Sequence, residues 1–251
     1  MRLAVDGQGG CRNDEPVHPG LARAGAMALA ALVLPLTACA AGAPASARAA
    51  HADAAQLAAA TTPATCKLPS SVTATQVLLV DGSGTTAKVT ACLRSTSGAY
   101  QVAFGPFDGR VGRNGVAAKG AKREGDGKTP SGVFPLRGGF GTAADPGVKV
   151  HWMRVTRDDV WVDDPDSKLY NTHQVLPARG RWASAEKLYI RAYKYAQVIG
   201  YNEARKPGLG SAIFLHLDTG RATAGCVSLP SGPLLKVLRW EKPGAVMVIT
   251  R

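Results

Sequence analysis

The chain is poor in acidic residues and has no apolar run at its N-terminal end long enough to cross a bilayer. Eighteen acidic residues face 30 lysines and arginines, which gives a formal net charge of +12 over 251 residues. The apolar stretch at residues 24–36 is about seven residues short of the roughly 20 that a spanning helix needs. Long helical periodicity is scarce, and no internal repeat is present. With 45% hydrophobic and 19% charged residues, the composition excludes wholesale disorder and a polytopic membrane protein.

The N-terminal residues have the features of an export signal. Arg23 precedes the apolar stretch, and small residues follow it, as in secretory signals. Residues 1–39 contain three arginines and three acidic residues, so the net charge of +12 belongs entirely to the remainder. A basic surface attracts nucleic acid, anionic lipid or anionic wall polymers alike. Export makes nucleic acid the least favoured of these partners.

The end of the apolar stretch resembles a bacterial lipobox, in residues 36–39. The resemblance implies lipidation of Cys39, a membrane anchor and a location on the cell membrane. The alternative is cleavage at a small-residue site such as residues 43–45, which removes Cys39 and leaves the protein in the wall or outside the cell. We expect residues 1–39 to be the signal segment, residues 40–70 an Ala/Pro/Thr-rich tether, and residues 71–251 one folded domain.

Export also bears on the cysteines of the folded region. Cys66 and Cys92 are natural disulfide partners in an oxidising compartment, although two separate buried thiols are the alternative. Their pairing leaves Cys226 as the remaining cysteine of this region.

Short apolar runs separated by Gly, Asp, Pro and Ser indicate a mostly β domain with a few short helices. Helix signals are confined to residues 184–189 and 229–240. The predicted strands are residues 75–80, 88–94, 100–104, 133–136, 152–155, 160–162, 193–199, 212–216 and 245–250.

One histidine and one cysteine are candidates for covalent chemistry. His216 ends an apolar strand, and Cys226 follows ten residues later, after Gly225. A chain reversal can bring them together as base and nucleophile, which a thiol needs because its ordinary pKa leaves little thiolate at neutral pH. Gly225 permits close approach of the backbone to a carbonyl and its oxyanion. The alternative is a structural histidine beside a buried thiol.

Three ordered motifs stand in the folded region: Gly125–Phe134, Trp161–Pro165 with Tyr170 and Asn171, and His216 with Thr223–Cys226. Together they resemble the motifs of the YkuD-like L,D-transpeptidases. The resemblance covers about residues 75–250 and implies a single sandwich-like or barrel-like β catalytic domain. It implies Cys226 as the nucleophile, His216 as the base, and Gly225 as the small residue before the cysteine.

This chain also departs from the family pattern. The usual Ser-His-Gly-Cys is here Thr223–Cys226, and Ser228 stands where an arginine or asparagine is common. The stretch between the histidine and the cysteine is shorter than usual. Thr223, Tyr170 and Asn171 are candidates for binding substrate. The alternative for Tyr170 and Asn171 is a core aromatic and a turn residue.

The implied reaction begins with attack by the Cys226 thiolate on a peptidoglycan stem peptide, with release of D-alanine. An amine of a second stem then takes the thioester and forms a crosslink. Water as acceptor gives an L,D-carboxypeptidase, and a crosslink-cleaving hydrolase is a further alternative. A wall-binding module without turnover is the alternative from another class. The expected partners are stem peptides and anionic wall polymers.

The group that orients His216 has two candidates. Asp218 shares the strand face of His216, whereas the backbone carbonyl of Leu217 leaves Asp218 to start a turn. We favour the carbonyl. His151, His173 and the other candidate ligands lack paired metal-ligand spacing, so we expect neither a metal nor a cofactor.

Overall fold

The computed structural model describes residues 64–251, and this part of the chain is mostly β, as predicted. The only α-helix among these residues is α1, Ser231–Trp240, and a 3₁₀ turn covers Arg191–Lys194. The strands are β1 Gln76–Ser83, β2 Thr86–Arg94, β3 Tyr100–Arg110, β4 Gly132–Gly141, β5 Trp152–Arg154, β6 Asp159–Val162, β7 His173–Val175, β8 Ala185–Lys187, β9 Ala196–Ile199, β10 Phe214–Leu217, β11 Val227–Leu229 and β12 Val246–Thr250.

Eight strands close into a barrel in the order β12-β1-β2-β3-β11-β10-β9-β4, because β12 pairs with both β1 and β4. The pairs β1–β12 and β10–β11 are parallel, and β5 adds to β4 outside the ring. A separate three-stranded sheet has the order β7-β6-β8. Closure removes the free edges that an open sheet would expose.

The barrel core and α1 share one apolar cluster. Alternate residues of the strands, such as Leu78 and Val80 of β1, point into this cluster. Leu234, Val237 and Leu238 bring the buried stripe of α1 into the same cluster. The helix predicted at residues 229–240 therefore forms, and its spacing reflects burial of one face.

A second apolar cluster lies on the other face of β4, β9 and β10. Phe214 belongs to this cluster, whereas Leu215 belongs to the barrel core. Cys226 and Tyr193 are members of the second cluster as well. The candidate nucleophile therefore lies outside the barrel core, in a layer packed against the barrel wall.

The folded domain begins before the predicted boundary at residue 71. The Cys66 amide donates to the Tyr100 carbonyl at 2.9 Å, and Val102 donates to Ala64 at 2.7 Å. The predicted disulfide between Cys66 and Cys92 is present, with an S–S distance of 2.02 Å. Residues 64–70 are therefore fixed to β2 and β3, whereas the sequence interpretation placed them in the tether.

Residues 184–189 are not helical, contrary to the sequence prediction. They contain β8, which pairs with β6 so that Glu186 lies opposite Trp161. The Glu186 carboxylate is buried and accepts a hydrogen bond from the Tyr193 hydroxyl. This tertiary contact outweighs local helix preference.

Strands β7 and β11 were not predicted. Each has only three residues, which is too short for an alternation of apolar and polar residues to indicate a strand.

The predictions for residues 1–63 lie outside the described residues. They include the signal segment, lipidation of Cys39 and the tether as far as residue 63. Within residues 64–251, no helix combines the length and hydropathy needed to span a membrane.

Candidate active site

Cys226 lies directly before β11, at the end of a tightly bonded loop. The Thr223 hydroxyl donates to the Cys226 carbonyl at 2.7 Å and accepts from the Gly225 amide at 3.1 Å. Thr223 is 2% exposed. The Thr223 hydroxyl therefore makes its hydrogen bonds within the loop. The sequence had made Thr223 a candidate for binding substrate.

Gly225 occupies a position that only glycine fits well. Its φ is +156°, and a Cβ there would lie 3.0 Å from the backbone oxygen of Lys128. Close backbone approach at Gly225 thus occurs within the protein itself. The Gly225 amide donates to the Thr223 hydroxyl in this structure.

The first sequence motif is in direct contact with the cysteine loop. The Thr129 hydroxyl donates to the Cys226 carbonyl at 3.1 Å and accepts from the Gly112 amide at 2.9 Å. Asp126 of the same motif accepts from the Lys128 amide and from the buried Lys122 ammonium. Thr129 lies within the motif Gly125–Phe134, but the sequence alone does not indicate this contact.

The Cys226 sulfur contacts the start of β10. The Phe214 amide donates to Sγ at 3.2 Å, and the Ala212 carbonyl oxygen lies 3.3 Å from Sγ. The sulfur therefore lies within reach of one hydrogen-bond donor and one acceptor. Cys226 is disulfide-bonded in the structure. It can act as a nucleophile only after this disulfide has been reduced.

The second motif fixes the backbone beside the sulfur. Ala212 has a φ of +52°, which is unusual for a residue with a Cβ. The Asn171 side-chain oxygen accepts from the Ala212 amide at 3.2 Å and from the Trp161 indole at 2.8 Å. Asn171 therefore supports the residue that contacts the sulfur.

Tyr170 has a structural role in its surroundings. It is 1% exposed; its hydroxyl donates to the Glu124 carboxylate and accepts from the Gly210 amide at 3.0 Å. Ser211 also donates to Glu124, at 2.7 Å. Burial raises the pKa values of both Tyr170 and Glu124. These bonds secure the segment before β10 and leave Tyr170 outside the neighbouring cavity.

His216 is held by the backbone carbonyl that the sequence analysis favoured. Nδ1 lies 2.8 Å from the Leu217 oxygen, which can only accept, so Nδ1 carries the proton and Nε2 the lone pair. Asp218 instead pairs with Arg110 at 3.2 Å and accepts from the Gly220 amide at 2.8 Å. Burial lowers the pKa of His216 to about 4, which keeps the imidazole neutral at pH 7.

Cys226 and His216 share one face of neighbouring strands but are not hydrogen-bonded. In the β10–β11 register, His216 lies opposite Ser228, and Cys226 precedes Ser228 by two residues. Nε2 of His216 has no hydrogen-bond partner among residues 64–251. The sulfur instead faces Ala212. Proton transfer between the two therefore requires rotation of the Cys226 side chain to another staggered rotamer.

A cavity of about 420 Å³ lies between the barrel and the three-stranded sheet; Ile213, just before β10, lines it, whereas Cys226 and His216 do not. Its apolar wall includes Phe140 and Trp161, whose rings pack on Phe214 at 5.0 and 5.2 Å. Asn171 lines the cavity, as a substrate groove would require, and Tyr170 does not. The charged and titratable residues of its lining are Arg137, His151, His173, Tyr201, Glu203 and Arg205.

Residues 64–251 contain no group of three or more His, Cys, Asp or Glu side chains that could hold a metal ion. The predicted absence of metals and cofactors stays a prediction.

No family model and no curated protein matches the chain. Two solved structures show a weak likeness: the helical cell shape determining protein Pgp2 from Campylobacter jejuni and a point mutant of it. Each is 17% identical to this chain, with TM-scores of 0.37 and 0.36. The matches cover 70% and 71% of this chain, which spans about half of each of them, 48% and 47%. This likeness is too slight to bear on family or function.

Proposed function

We propose that the chain is an exported, cysteine-dependent L,D-transpeptidase of peptidoglycan. One observation carries the proposal: three motifs that are distant in sequence meet around Cys226. Thr129, 97 residues away, bonds the Cys226 carbonyl. Asn171 holds Ala212 at the sulfur. His216 lies on the adjacent strand, on the face of Cys226.

In this proposal, reduced Cys226 is the nucleophile and His216 is the base. The Phe214 amide donates to the sulfur in its present rotamer. His216 presents an unprotonated Nε2, because Nδ1 donates to Leu217. Rotation of the Cys226 side chain toward His216 brings the thiol proton to Nε2 and leaves a thiolate and an imidazolium.

The thiolate then attacks the carbonyl at the L-centre of the diamino acid in a tetrapeptide stem. The C–N bond to the terminal D-alanine breaks, and the imidazolium gives its proton to the leaving amine. A thioester on Cys226 and neutral His216 remain. An amine of a second stem attacks the thioester, forms the crosslink and returns the proton to the thiolate through His216. Water in place of the amine gives the hydrolytic alternatives.

The cavity beside Phe214 is suited to hold the stem peptide. Its volume of about 420 Å³ lies within the range of small-ligand sites, and an apolar wall with a charged rim fits a peptide that carries carboxylates. The net charge of +12 favours association with anionic wall polymers. By the same proposal, the membrane is reached through a lipid on Cys39.

The test compares the reduced chain with its Cys226→Ala and His216→Gln variants on disaccharide-tetrapeptides, with products followed by mass. Crosslinked dimers with loss of D-alanine, formed only by the unaltered chain, support transfer. Monomeric tripeptide formed only by that chain supports hydrolysis. Identical products from the unaltered chain and Cys226→Ala would eliminate cysteine catalysis, and intact walls sedimenting with both proteins would then favour the wall-binding module.

A further inference from the structure

Ser228 and His216 are two buried polar residues whose remaining hydrogen-bonding capacities match. They lie opposite each other in the parallel β10–β11 register, so their side chains point to the same face of the barrel wall. Ser228 is fully buried, and His216 is 1% exposed. Neither the Ser228 hydroxyl oxygen nor Nε2 of His216 has a hydrogen-bond partner among residues 64–251.

The neighbours of the pair restrict what each group can bond. On the other side of Ser228, the register places Arg110, which has donors only and already pairs with Asp218. On the other side of His216 it places Ala196, which has no polar side chain. Nε2 needs a donor because Nδ1 carries the imidazole proton. Among the residues that flank His216 in this register, Ser228 has the hydroxyl donor that lacks a partner among residues 64–251.

We infer that Ser228 is a positioning residue for the base His216. Its hydroxyl donates to Nε2 in the resting protein, either after rotation about χ1 or through one water, since a buried unmatched pair costs free energy. When Nε2 takes the proton of Cys226, the Ser228 oxygen accepts from the new N–H. A hydroxyl serves both states because it is both donor and acceptor. The catalytic part of this inference rests on the proposed transpeptidase function.

The electrostatic surroundings of His216 come from several elements. Asp218 follows on the same chain segment and is paired with Arg110 of β3. The Tyr193 ring of the 3₁₀ turn lies 5.5 Å from the imidazole, and Tyr193 bonds Glu186 of β8. Removal of the Ser228 hydroxyl alters none of these charges, so its effect on His216 can be read separately.

The test uses the full chain labelled with ¹⁵N and a comparison of Ser228→Ala with Ser228→Thr. Replacement by alanine should move the Nε2 resonance of neutral His216 toward that of a nitrogen without a hydrogen-bond donor. Threonine keeps the hydroxyl and should retain the original resonance. The control is Thr219→Val, which removes another buried hydroxyl without a partner among residues 64–251, located outside the β10–β11 register. His216→Gln identifies the resonance among the five histidines.

The kinetic readout follows D-alanine release from tetrapeptide stems. Ser228→Ala should lower kcat about tenfold with KM unchanged, the effect of one hydrogen bond to a charged group, and Ser228→Thr should restore it. An unchanged Nε2 resonance in Ser228→Ala would overturn the inference even if the chain is active. A shifted resonance in a chain without any D-alanine release would support the Ser228–His216 contact and refute the proposed function instead.

Discussion

At the scale of single residues, the position of the Cys226 sulfur depends on a backbone conformation that side chains rarely favour. Ala212 adopts a φ of +52° and places its carbonyl oxygen 3.3 Å from Sγ. Such a conformation costs about 1 kcal/mol or more and persists only where its surroundings enforce it. Asn171 provides that enforcement, since its amide group bonds four partners: Trp161, Tyr201, Asn202 and Ala212.

Asn171→Ala should therefore lower the free energy of unfolding by about 2–4 kcal/mol, because several partly buried hydrogen bonds are lost together. Urea unfolding followed by circular dichroism measures the loss. Asn114→Ala is the matched control, since Asn114 makes one exposed side-chain bond, to the Asp126 carbonyl, and should cost less than about 1 kcal/mol. Equal losses in the two variants would contradict the role given to Asn171.

Elements position the site through the loops that precede them. The loop before β11 passes so close to the first motif that a Cβ at Gly225 would lie only 3.0 Å from the backbone oxygen of Lys128. Gly232 in the first turn of α1 has no heavy atom within 4 Å of the Cβ it would gain, and its φ is not positive. Substitution by alanine is therefore strained at Gly225 and unobstructed at Gly232.

Gly225→Ala should destabilise the protein by about 1–3 kcal/mol through backbone strain, and it should slow alkylation of reduced Cys226 by iodoacetamide. Gly232→Ala should stabilise by about 0.5–1 kcal/mol, because alanine favours the helix and restricts the unfolded chain. Thermal unfolding measures both variants. A Gly225→Ala protein as stable as the unaltered chain would show that the loop does not approach the motif this closely.

The end of α1 carries a buried carboxyl group that titrates away from its usual range. Glu241 ends the helix, with its amide donating to Val237, and its side chain is fully buried. Burial raises its pKa to about 8, although a nearby Gln197 side chain opposes this shift. The folded protein therefore binds a proton that the unfolded chain releases above its ordinary pKa of 4.5.

Stability should consequently fall as pH rises between about 5.5 and 8, by at most about 1.4 kcal/mol per pH unit from this group. Glu241→Gln should remove that slope, because the amide stays neutral in both states. Urea unfolding at several pH values gives the difference between the two proteins. Glu203→Gln is the control, since Glu203 is exposed and its partner Arg137 lowers its pKa. A slope retained in Glu241→Gln would contradict the assignment.

At the scale of the whole molecule, the charge of +12 is expected to govern association with the wall. Binding of the chain to isolated walls should weaken markedly between about 0.05 M and about 0.5 M salt, because exposed charges are screened within a few ångströms at high salt. Sedimentation with walls measures the bound fraction, and walls stripped of their anionic polymers serve as the control. Salt-independent binding would exclude an electrostatic origin.

Sequence patterns predicted the disulfide, the long elements and the short strands β5, β6, β9 and β10, but not β7, β8 and β11. β1 to β4, β12 and α1 have enough alternation or helical spacing to be read locally. β7, β8 and β11 are set by pairing with distant strands, and the helix expected at residues 184–189 gives way to the buried contact of Glu186 with Tyr193. Closure of the barrel through β12 is likewise a long-range property that no local window contains.

The candidate site was predicted in part for the same reason. Cys226, His216 and the carbonyl of Leu217 followed from motifs and from turn chemistry. Thr129 and Asn171 lie within the sequence motifs. However, the contact of Thr129 with the Cys226 carbonyl and that of Asn171 with Ala212 depend on tertiary structure. The left-handed conformation of Ala212 has no sequence signal, because alanine does not favour it.

The most direct measurement of the central claim is intact mass spectrometry of the reduced chain mixed with a tetrapeptide stem. The account predicts a mass increase equal to the stem minus D-alanine, mapped to the peptide that contains Cys226 and lost on treatment with hydroxylamine, which cleaves thioesters. Cys226→Ser, which keeps the shape of the side chain but not the thiol, should show no hydroxylamine-labile adduct. The same labile adduct on both proteins, or neither an adduct nor D-alanine release with the reduced chain, would contradict the account.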